Sequence, residues 1–90
     1  MPYIKEEDRD YFKKSLCALV DDLQYRDVCK GDLNYLCYCL GLAFIDKKGT
    51  NYQNVSDAVD GIRGAAEELK RRVQDPYEDT CVDRNGDINV

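Results

Sequence analysis

Histidine is absent from the chain, and with it goes the side chain that most often serves as a general base near neutral pH. No Ser/His or Cys/His nucleophile pair can be built, and no histidine can complete a zinc site. Tryptophan is absent too, and only two prolines and six glycines punctuate the 90 residues. No apolar run approaches the roughly 18 residues needed to cross a bilayer. The opening Met1-Pro2-Tyr3-Ile4-Lys5-Glu6-Glu7-Asp8 places acids where a secretory signal carries its apolar centre. Together these absences predict a cytoplasmic protein without a membrane span. Basic residues are outnumbered, 13 against 18 acidic ones, for a net charge of −5. That balance repels phosphate backbones and anionic lipid at long range and argues against general nucleic-acid binding, but leaves room for a local anion pocket.

What is present is 43% hydrophobic and 34% charged, the make-up of one small globular domain. A chain this short hides only about 60 to 65% of the surface its unfolded form exposes, so its core is modest and a partner subunit would add to its stability. Three segments show helical periodicity. From about Glu6 to Arg26, Phe12, Leu16, Leu19, Val20 and Leu23 recur at three- and four-residue steps, with Lys14, Cys17 and Asp21 opposite. Glu6, Glu7 and Asp8 suit the positive end of that helix. A second helix is expected from an N-cap at Asp32 to about Lys48, with Lys47 and Lys48 at its negative end and Gly49 as its stop. A third starts between Asn51 and Ser56 and runs to about Asp75, since a residue before proline is pushed out of helical geometry. Its stripe is Val55, Val59, Ile62, Ala66, Leu69 and Val73.

The second helix is apolar nearly all round. One side presents Leu33, Leu36, Cys37, Leu40, Ala43 and Phe44; the other presents Tyr35, Tyr38, Cys39, Leu42 and Ile45. A three-helix monomer buries only one such side, and each large side chain left in water forgoes roughly 1.5 to 3 kcal/mol. The expectation is a homodimer or higher symmetric oligomer with Tyr35, Tyr38, Cys39, Leu42 and Ile45 at or near the interface. The alternative is a tail that folds back over that side. Residues 1–75 read as an all-α, three-helix domain and 76–90 as a tail, where Asn85-Gly86 between Val82 and Ile88 signals a tight hairpin turn.

Several constellations invite chemistry. Asp83, Asn85 and Asp87 have the spacing with which calcium loops begin, but Ile88 stands where a glycine is needed and the sequence lacks the closing glutamate. The five cysteines, Cys17, Cys29, Cys37, Cys39 and Cys81, are odd in number; Cys37 and Cys39 lie two apart on a helix and cannot chelate one ion as a C-x-x-C pair does. They read as core filler. No metal or other cofactor is expected. Asp57 with Asp60, and Glu67 with Glu68, lack the paired Glu-x-x-Glu and Glu-x-x-Asp sets that hold magnesium in helical nucleotide pyrophosphatases, so a metal-dependent nucleotide hydrolase is the weaker reading and a non-enzymatic role the stronger. Lys70, Arg71 and Arg72, with Arg63 on the flank of Lys70, have two readings. They serve helix-end electrostatics, with Glu67 and Glu68 each four residues before an arginine, or they form an anion pocket in which Tyr77 stacks on a base.

Met1-Pro2-Tyr3-Ile4 with Asp8-Arg9, then Gly31-Asp32-Leu33-Asn34-Tyr35, Arg71-Arg72 followed by Pro76-Tyr77-Glu78, and Asn85-Gly86-Asp87-Ile88 resemble a family of short proteins encoded by phages and by bacterial and archaeal genomes. The similarity spans the whole chain, and it departs at Lys70, where a tyrosine often precedes the paired arginines. The resemblance implies a helical fold and a phage or prophage setting, and no reaction. Small phage accessory proteins without catalytic residues act by binding. The expected function is therefore a non-catalytic, homo-oligomeric binding module in the host cytoplasm. It would either sequester a phosphorylated nucleotide signal through Arg63, Arg71, Arg72 and Tyr77, or inhibit a host protein through acids such as Asp57, Asp60, Glu67 and Glu68.

Overall fold

The structure is a computed structural model that describes residues 4–86. It has three helices: α1 (Glu6–Gln24), α2 (Lys30–Lys48) and a third helical run made of α3 (Tyr52–Leu69), a π-helical turn (Lys70–Gln74) and α4 (Asp75–Asn85). Among the described residues there is no strand. The all-α, three-helix class expected from the periodicity is the class the chain adopts. The chain divides into two compact units, Met1–Tyr38 and Cys39–Val90.

In the first unit, α1 opens with Glu6, Glu7 and Asp8 in its first turn, as the helix dipole favours. The start of α2 corrects the expected N-cap. Asp32 is not the capping residue; it lies in the first turn, and its Oδ2 accepts a hydrogen bond of 2.8 Å from the backbone N–H of Cys29. The carboxylate thus reaches back to the residue before the helix, which is the returning half of a capping box. This bond, supported by Arg26 with Nη2 3.9 Å away, holds the Asp32 carboxyl below the usual aspartate range. A group whose folded pKa is depressed contributes stability above its unfolded pKa and loses it as the pH falls through the folded value. The Cys29 amide is therefore expected to lose hydrogen-exchange protection as the pH drops below the ordinary aspartate value of 3.8, and Asp32→Ala should abolish that acid step.

In the second unit, Gly49 ends α2 as anticipated, at φ 102°, with its N–H donating to the Ile45 carbonyl at 2.7 Å. Only glycine adopts this backbone region freely. Asn51 caps α3 by accepting from the Asn54 N–H at 2.8 Å. The Asn54 side-chain amide in turn donates to the carbonyls of Lys48 at 3.1 Å and Gly49 at 2.9 Å. One asparagine so ties the open end of α2 to the first turn of α3. The two helices approach closely at Gly41, where a Cβ would stand 3.1 Å from Ile62 Cδ1. One turn before Ile62, Ala58 is 7% exposed and is the one buried residue among those described.

The C-terminal part corrects the tail. No helix stop occurs at Asp75, and Tyr77 to Asn85 is helix rather than the first arm of a hairpin. Asp75 keeps helical dihedrals, φ −63° and ψ −47°, directly before Pro76. The reason is the π turn: the Asp75 N–H donates to the Lys70 carbonyl five residues back, and the wider turn makes room at the point where a proline ring would collide with a tighter ladder. Pro76 then occupies the start of α4, where its missing N–H costs least. The Asn-Gly pair is a helix ending, with Gly86 at φ 86° and its N–H on the Val82 carbonyl at 2.7 Å. Asp83 and Asn85 are helical and do not begin a calcium loop; Asp87 and the rest of the proposed hairpin lie outside the described residues.

The cysteines also differ from expectation. Cys17 and Cys29 are exposed, and Cys37, Cys39 and Cys81 are half-buried, so none fills a core. A single chain whose one buried residue is an alanine has no core for them to fill.

Candidate functional site

The basic residues singled out from the sequence lie along the third helical run. Arg63 is in α3, Lys70, Arg71 and Arg72 are in the π turn, and Tyr77 is in the first turns of α4. Three of the cations are engaged by acids of the same run. Lys70 Nζ donates to Asp75 Oδ1 at 3.2 Å and Oδ2 at 3.3 Å, which raises the Lys70 pKa above the ordinary lysine value. Arg71 pairs with Glu68, and Arg72 Nε stands 3.4 Å from the same carboxylate. Glu68 is thus shared by both arginines, where the four-residue rule had assigned Glu67 to Arg71. Among the described residues Arg63 has no acidic partner. Tyr77 is 63% exposed.

The Lys70–Asp75 pair had no signal in helix arithmetic. Residues five apart are not neighbours on an α-helix, which brings together positions three and four apart. The π turn places them within reach because one extra residue is wound into it. Beside this pair lies a shallow depression of about 390 Å³ lined by Ala66, Leu69, Lys70, Val73 and Gln74. Its walls are mainly the exposed apolar stripe of α3, with Leu69 at 58% and Val73 at 57%.

The residues assigned to an interface sit on α2. Tyr35 and Tyr38 are exposed, Leu42 is 47% exposed, and Cys39 and Ile45 are half-buried. Tyr38, Leu42 and Ile45 recur at steps of four and three and so share one side of the helix. Leu33, Leu40 and Phe44 on other sides of α2 are exposed as well, so its apolar residues surround the whole circumference. Within the second unit α4 continues away from the π turn and leaves Leu42 uncovered. Among the described residues no set of three or more Cys, Asp or Glu side chains converges to hold a metal, and no helix is long and apolar enough to cross a membrane.

Comparison with known proteins gives one result. A family model described as a domain of unknown function matches residues 1–88. No curated protein and no solved structure matches the chain.

Proposed function

We infer that the protein, which belongs to the DUF6899 family, is a non-catalytic binding module that works as a symmetric homo-oligomer built around α2. The observation that carries this reading is the burial pattern: one alanine is buried among residues 4–86, while Leu33, Tyr38, Leu40, Leu42 and Phe44 of a single helix face solvent. A continuous apolar surface of this kind is uncommon on a stable monomer and marks an interaction face. A second copy is the economical cover, because a symmetric contact buries the same side chains twice.

The resemblance to phage-encoded proteins supports an accessory role in a host cytoplasm, exercised by occluding or sequestering a partner. The ion pairs of Lys70, Arg71 and Arg72 favour helix support over a phosphate pocket, since an incoming phosphate must displace the Asp75 and Glu68 carboxylates. Sedimentation equilibrium at micromolar concentration tests the assembly, with a dimer or higher oligomer expected and a monomer overturning it. Thermal shift against cyclic and linear nucleotides tests the role: an unmoved melting point fits a protein-binding module, and a rise of several degrees establishes nucleotide sequestration instead.

A further inference from the structure

The stripe of α3 has a strict spacing that helix packing makes meaningful. Val55, Val59, Ile62, Ala66, Leu69 and Val73 alternate steps of four and three, the seam along which two helices pack side by side. Beside that seam, the charged residues in the two flanking rows are Arg63, Lys70 and Arg72, all basic. A second α3 would bring the same basic rows against them and be repelled. α1 has the opposite character. Its own seam, Phe12, Leu16, Leu19 and Leu23, keeps the same steps, none of its residues is buried, and its flanking rows carry Glu6, Asp8 and Asp22 with Lys13 as the single exception. The two helices also match in length: α1 has 19 residues and α3 has 18, about 28 and 27 Å of helix.

The geometry points to α1 of a second copy as the occupant of the α3 seam, its acids against Arg63, Lys70 and Arg72 and its apolar row in the depression between Ala66, Leu69 and Val73. This docking rests on the self-association inferred above and specifies the contacts that accompany α2. The exposed intrahelical pairs of Lys70 and Arg72 are of the weak surface kind and exchange readily for pairs across the contact. By two-fold symmetry each copy gives one α1 and receives one.

Two variants of the full chain test it. The first reverses the receiving helix, Arg63→Glu, Lys70→Glu and Arg72→Glu; the second reverses the donor, Glu6→Lys, Asp8→Lys and Asp22→Lys. Each alone is expected to dimerise at least tenfold more weakly than the natural chain in sedimentation equilibrium, while a 1:1 mixture forms a dimer of one copy of each. Circular dichroism of each variant, and the mixture itself, separate lost docking from lost folding. Lys14→Glu with Lys47→Glu and Lys48→Glu changes the net charge as much as the first variant but lies off these rows, and should dimerise normally. Variants that dimerise as the natural chain does, a mixture that stays monomeric, or a control as weak as the variants would each overturn the docking. A monomeric natural chain would instead overturn the assembly on which it rests.

Discussion

Leu42→Asp is expected to weaken self-association by about 100-fold or more, measured as the dissociation constant in sedimentation equilibrium. Leu42 is 47% exposed on the single chain and lies between Tyr38 and Ile45 on one side of α2, so it has apolar surface both to lose to a partner and to anchor it. Removing an anchor of that type from the middle of an interface costs about 2 kcal/mol or more, and a carboxylate in its place must also be desolvated. In a symmetric dimer the substitution enters twice. A variant that associates as tightly as the natural chain would place the contact elsewhere and remove α2 from it.

Ala58→Phe should lower the melting temperature by about 5 to 20 °C, on the basis that overpacking costs about 1 to 3 kcal/mol and each kcal/mol shifts a domain of this size by about 4 to 8 °C. Ala58 is the buried residue of the second unit, one turn from Ile62, whose Cδ1 lies 3.1 Å from where a Gly41 side chain would begin. The space between α2 and α3 is therefore set by small residues. Gly41→Ala makes the informative contrast. Its methyl meets only the rotatable end of Ile62, and alanine is better than glycine inside a helix by about 0.5 to 1 kcal/mol, so the two effects offset and the melting point should scarcely move. Equal losses from Ala58→Phe and Gly41→Ala would contradict this account of the packing.

Much of the fold was legible because it is local. The periodic rows of α1, α2 and α3, the acids opening α1, Gly49 as a stop and Asn51 at the start of α3 all act through neighbours a turn away. The failures share a different origin. Pro76 and Asn85-Gly86 each carry a strong local preference, for a helix break and a hairpin turn, and both were absorbed by a helix that widened at Lys70–Gln74. Nothing in one residue's propensity announces a π turn; it is the compromise reached when the segments on both sides, with their own reasons to be helical, outweigh the junction. The same turn hid the Lys70–Asp75 pair and redirected Arg71 toward Glu68. In the candidate site the basic residues were identified correctly as a group, but their partners depended on this one irregularity. The cysteines were misread for a more general reason: burial had been assigned to a single chain that leaves almost everything half open.

A helix that takes in one surplus residue turns back by one residue's worth of rotation, about 100°, before it resumes its regular winding. Side chains after Asp75 therefore point along azimuths that simple counting from Tyr52 misassigns by more than a quarter circle. Drawn continuously, a helical wheel would set Cys81 well to one side of Val55 and Val73; with the slip included, Cys81 falls back into line with them. The rod is thus keyed like a screw with a deliberate half-thread, and deleting a single residue from 70–74 would swing everything beyond it out of alignment while leaving every turn helical.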